Sequence, residues 1–115
     1  MESFHINSLV TFRFLNLDKL QAITLTHEIK GSSYQLNLKG DRYIGEVILD
    51  EQLSCLDDVN IFYVRQQIAI EDCEILVRVE SYDISGAISA PSYVNKLLKH
   101  IDCKLSFAYT VLTPQ

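Results

Sequence analysis

Alternation with a period of two is the feature that most constrains this chain. Phe4, Ile6, Val10, Phe12 and Phe14 fall on one side of the opening stretch, and His5, Asn7, Thr11 and Arg13 fall on the other, the pattern of a strand with one buried face. The pattern returns in Tyr34, Leu36 and Leu38 and, after Gly40-Asp41, in Tyr43, Gly45, Val47 and Leu49, which predicts a hairpin. Ile44 and Ile48 make the other face of that second strand apolar as well, so it calls for a cover. Val59-Asn60-Ile61-Phe62-Tyr63-Val64, continuing to Ile68, has the β-branched and aromatic content of a strand. Beyond a turn at Glu71-Asp72, Ile75, Val77 and Val79 alternate with Glu74, Arg78 and Glu80, and the two segments are expected to form a second hairpin. In a last strand Leu105, Phe107, Tyr109 and Val111 face inward.

One segment has a clean helical period. Val94, Leu97, Leu98 and Ile101 recur at i, i+3, i+4 and i+7, with Ser89 or Ala90 as the cap and Pro91 in the first turn. Residues 18–29 carry both signals. Asp18 and Gln21 have the spacing of a capping box, yet Ile23, Leu25, His27 and Ile29 alternate with Thr24, Thr26 and Glu28, and the β-branched content favours a strand over Leu20–Ile29. The expected fold is α+β: a mainly antiparallel, strongly twisted sheet of about seven strands with one amphipathic C-terminal helix, a helix at 18–29 being the alternative. The 115 residues contain no linker-like composition shift and no repeat, so a single domain over 1–115 is expected.

The charge is uneven. Fifteen Asp and Glu against ten Lys and Arg give −5, which argues against a protein that works directly on nucleic acid phosphates. From Glu46 to Asp83 there are ten acids and only Arg65 and Arg78, a local −8 that leaves +3 for the rest. Such a band can steer a basic partner or serve as a solvated face. Cys55, Cys73 and Cys103 are odd in number and widely spaced, so a disulfide framework is not expected and each reads as a small core residue. No uncharged stretch approaches the roughly 20 apolar residues of a membrane span, and Met-Glu-Ser-Phe-His lacks the basic, then apolar, start of a signal peptide. The expected location is the cytoplasm.

A search for chemistry returns little. Gly31, Gly40, Gly45 and Gly86 are too dispersed for a phosphate loop. His5, His27 and His100 lie in separate elements with no metal-ligand spacing, and no cofactor is implied. Cys73 with His27 and an acid forms a nucleophile–base set only if the fold brings them together. Tyr82 and Tyr93 are the aromatic residues expected at the surface, where tyrosine suits a protein interface.

The stretch Gly86-Ala87-Ile88-Ser89, Tyr93-Val94-Asn95-Lys96-Leu97-Leu98 and Leu105-Ser106-Phe107-Ala108-Tyr109 resembles the ending of a small bacterial domain of unknown function, in which a G-x-[IL]-S turn opens a short helix that returns into the final strand. The whole-chain profile is similar to the small acidic immunity proteins of bacterial toxin–immunity systems, including contact-dependent growth inhibition. That resemblance rests on the acidic band and implies a non-enzymatic protein that blocks a cognate toxin, a basic nuclease domain in the first instance. Asp57, Asp58, Glu71, Asp72, Glu74, Glu80, Tyr82 and Asp83 are the partner-binding residues it implies. The competing expectations are a small ligand-binding domain or enzyme with a pocket in a curved sheet, where His27 or Cys73 lends a polar contact, and a domain that self-associates through a strand edge or the Ile44/Ile48 face.

Overall fold

A computed structural model of the chain describes residues 7–50, 52–81 and 92–111. Their order is β1 (Asn7–Leu17), α1 (Lys19–Glu28), β2 (Ser32–Leu36), β3 (Tyr43–Leu49), α2 (Leu56–Arg65), β4 (Cys73–Ser81), α3 (Ser92–His100) and β5 (Lys104–Val111), with a short 3-10 turn at Ile70–Asp72. The strands form one sheet in the order β2-β3-β1-β4-β5. β1 runs antiparallel to both β3 and β4, β2 runs antiparallel to β3, and β5 runs parallel to β4. From β1 to β4 the element order is that of a split βαβ unit. Parallel neighbours need a crossover, and α3 lies in the chain between β4 and β5.

The fold is α+β as expected, but with five described strands and three helices, and one of its four strand pairings is parallel. Residues 19–28 are helical, against the strand preferred for Leu20–Ile29. The capping box closes as its spacing allowed: Gln21 N–H donates to Asp18 Oδ1 at 2.7 Å, and Asp18 N–H donates to Gln21 Oε1 at 3.0 Å. Thr24 and Thr26 turn their hydroxyls onto the Leu20 and Ile23 carbonyls, a local bond that accommodates β-branched residues in a helix. The predicted strand from Val59 to Ile68 is also helical through Arg65. Val59 and Phe62 are buried there, and Asp57 and Asp58 at the start with Arg65 at the end complement the helix dipole. Tertiary burial has overridden a strand-like composition. The second hairpin therefore does not form, and β4 pairs with β1 and β5 instead. The first hairpin is present, β2 on β3, with Gln35 opposite Ile44. The caps expected at Ser89, Ala90 and Pro91 lie outside the described residues, as do Phe4 and Ile6.

One hydrophobic cluster joins all three helices to one face of the sheet. Val10, Phe12 and Phe14 of β1, Val47 and Leu49 of β3, and Cys73, Ile75, Val77 and Val79 of β4 supply the sheet side. Ala22, Leu25 and Ile29 supply the α1 side, Val59 and Phe62 that of α2, and Val94, Leu97 and Ile101 that of α3. The Phe62 ring sits 5.1 Å from that of Phe14, fixing α2 on the sheet. A Cβ on Gly45 would meet the side-chain ends of Leu25 and, at 2.9 Å, Leu17 Cδ1, so glycine leaves the room on β3 that these two buried leucines fill. Leu17 itself has the parity of the opposite face, but a register shift between Phe14 and Leu17 returns it to the core, the re-aiming that a β-bulge provides. In β5, Leu105 and Tyr109 pack on the core while Phe107 and Val111 stay exposed, so the expected inward row is only half covered.

Candidate functional site

The acidic band divides across the two faces of the fold. On the sheet face away from the helix-bearing core, cross-strand register places Ser33, Glu46, Arg13, Glu74 and Lys104 in one row over the five strands. The charges alternate along it. Arg13 Nη1 donates to Glu74 Oε1 at 3.1 Å, and Arg13 Nε lies 3.1 Å from Glu46 Oε2 as an ion pair too bent to be a hydrogen bond. Arg78 reaches across from two rows away to Glu46 Oε2 at 3.2 Å, Ser106 Oγ donates to Glu74 Oε2 at 2.8 Å, and Lys104 Nζ stands 3.8 Å from the same oxygen. Glu74 is buried. Glu46 and Glu74 are thus structural anions held by Arg13 and Lys104 from outside the acidic stretch, with Arg78 from within it. Thr11, beside this row, is buried with a hydroxyl that has no hydrogen-bond partner.

Asp57 and Asp58 have the opposite setting. Both are exposed in the first turn of α2, and among the described residues neither has an ion pair. One turn further along the helix, Ile61 is 51% exposed and Val64 66% exposed, because Val59 and Phe62 take the buried side. Asn60, Ile61, Val64 and Arg65 line an open groove of about 400 Å³ with almost wholly apolar walls. Glu28, Asp58, Ile61 and Arg65 line a second hollow of about 270 Å³ next to it. Arg65 is held at the far end by Glu28 Oε2 of α1 at 2.9 Å. The helix therefore presents an apolar centre with two carboxylates at its N-terminal end that have no ion pair among the described residues.

The remaining candidates scatter. Glu71 is exposed and Asp72 half-buried in the 3-10 turn before β4. Glu80 is exposed near the end of β4, beside Arg78, with which it lines a separate cleft of about 290 Å³ together with Ser8 and Leu9. Tyr82 and Asp83 lie outside the described residues. Tyr93, expected at the surface, packs half-buried against the core.

The cysteine–histidine set does not assemble. Cys73 is wholly buried, its thiol 3.7 Å from the Ala69 carbonyl, whereas His27 is exposed in the last turn of α1. Burial, then the neighbouring Cys103 and Asp72, push the Cys73 thiol up to about 12, and burial pushes Cys103 up to about 11. Both stay protonated at neutral pH, the state of an inert core thiol. The apolar stripe on α2 is hidden in the sequence because Ile61 and Val64 complete a run with the composition of a strand; the signal that marks the helix is the spacing of Leu56, Val59 and Tyr63, which all pack on the core.

No described helix is long and apolar enough to cross a membrane. No protein-family model matches the chain, and comparison with curated proteins and with solved structures returned no match.

Proposed function

We infer that this is a non-enzymatic binding protein whose partner is a basic protein surface, and that it acts as an immunity protein blocking a cognate bacterial toxin, a nuclease in the first instance. The observation that carries this reading is the combination, on one exposed helix face, of Ile61 and Val64 with Asp57 and Asp58, two acids that have no ion pair among the described residues. Apolar side chains supply the affinity of such a contact. The free carboxylates steer the encounter and stand in for the phosphates that a nuclease channel attracts.

The test is the association rate between the full chain and the protein encoded by the adjacent open reading frame. Asp57→Asn with Asp58→Asn should slow association by about tenfold or more at low ionic strength, and the difference should shrink as salt shortens the Debye length to about 8 Å. Asparagine keeps helix-compatible packing, so the fold is preserved for the comparison. Salt-independent association, unchanged in the double variant, refutes the reading.

A further inference from the structure

We propose that copies of this chain associate head to tail, the β2–β3 hairpin tip of one copy seating in the α2 groove of the next. The tip carries Leu38, 97% exposed and the most exposed large apolar side chain among the described residues. It stands on a preformed turn: Asn37 accepts the Lys39 N–H on Oδ1 at 3.1 Å and the Gly40 N–H on its carbonyl at 3.1 Å, and donates its own N–H to the Arg42 carbonyl at 2.8 Å. Arg42 in turn donates to Oδ1 and the carbonyl oxygen of Asn16, at 2.9 and 3.0 Å, which ties the turn to β1. Docking a residue held out on such a support orders little further chain. Lys39 follows Leu38 directly, and among the described residues no acid pairs with it.

The groove along Ile61 and Val64 is the matching surface, apolar on its walls and lined also by Asn60 and Arg65, with Asp58 on the hollow next to it and Asp57 in the same first turn of the helix. At the tip Lys39 and Arg42 outnumber Asp41, and at the groove Arg65 is paired with Glu28, leaving the charge of Asp57 and Asp58, so an aliphatic knob with a net positive charge meets an apolar groove with a net negative one. Each is exposed within the chain that carries it, so they meet only between copies. The contact is heterologous, with one tip and one groove per copy, and it therefore propagates. It uses the α2 face assigned above to a basic partner and rests on that face being open, so copies and partner compete for it.

Sedimentation equilibrium of the full chain from about 10 µM to about 1 mM tests the proposal, a range suited to a contact smaller than the standard interface. The average mass should climb above 13.1 kDa with concentration. Leu38→Glu and Ile61→Glu should each stay at the single-chain mass, while an equimolar mixture of the two should form a species of two chains and go no further. The mixture works because Ile61→Glu keeps its tip and Leu38→Glu keeps its groove. Both sites are exposed, and far-ultraviolet circular dichroism establishes that each variant is folded. A wild-type chain that stays at 13.1 kDa throughout, or a mixture no heavier than its components, overturns the proposal. The partner reading is separated by the same variants: Leu38→Glu should bind the adjacent-gene protein as the wild type does, so a failure of that protein to bind leaves the self-association result standing.

Discussion

Glu74 and Asp58 belong to the same acidic stretch, and the fold treats them in opposite ways. Glu74 lies buried on a sheet face, between an arginine from β1 and a lysine from β5. Asp58 lies on the first turn of a helix, where among the described residues no cation pairs with it and the helix dipole favours its charge. A strand face collects residues far apart in the chain, so its charges are balanced by elements the local sequence does not reveal. The outer side of a surface helix is surrounded by its own neighbours, and here those are another aspartate and two exposed aliphatic residues. The acids of the sheet are tied into the structure by ion pairs, whereas among the described residues those at the start of α2 are in none.

The two sides of α2 sharpen that contrast most. Phe62→Ala should destabilise by about 3–5 kcal/mol, as removal of a buried aromatic ring does, whereas Ile61→Ala, one residue away, should cost less than about 1 kcal/mol and act on binding instead. Urea unfolding of both variants checks this; equal losses would place Ile61 in the core. The next effect belongs to the charge row. Arg13→Met should cost about 3 kcal/mol, because it leaves Glu46 and Glu74 in a poorly solvated setting with only Arg78 and Lys104 to compensate. A loss under about 0.5 kcal/mol by the same method would make the row an ordinary surface pairing.

The smallest expected effect lies on the helix-facing side of β4. The Cys73 thiol is raised in the folded chain from 9.0 to about 12. Above pH 9 the unfolded chain loses this proton while the folded chain keeps it, so the associated stability is present below about pH 9 and declines towards pH 12. Between pH 9 and 10 the slope should approach about 1.4 kcal/mol per pH unit from this thiol, and Cys73→Ala should remove that part. A slope unchanged by the substitution would show that the thiol is not shielded.

What could be read in the sequence followed from clean local periods. β1, β4 and the buried stripe Val94, Leu97 and Ile101 of α3 were legible from their apolar periods, and the β2–β3 hairpin from two alternating runs on either side of Gly40-Asp41, although Ile44 and Ile48 make the second face of β3 apolar and Ile48 stays exposed. α2 was not, because an exposed Ile61 and Val64 fill in the polar side of its helical pattern and leave an apolar run that mimics a strand. At Leu20–Ile29 the capping box was visible, but two threonines outweighed it until their hydroxyls were seen bonding back into the helix. The parallel placement of β5 and the pairing of Arg13 with Glu74, 61 residues away, are long-range consequences of strand order and have no local signature. The same long-range pairing split the acidic band, so a contiguous patch in sequence became two unlike settings in space.

The most direct test of this division is the stability of two single neutralisations, Glu74→Gln and Asp58→Asn, measured side by side by urea unfolding at neutral pH. Loss of the Glu74 charge should lower stability by at least about 2 kcal/mol, since Arg13 is then left short of a partner. Loss of the Asp58 charge should lower it by less than about 1 kcal/mol, the dipole contribution alone. Equal losses, or a larger loss at Asp58, would contradict the account.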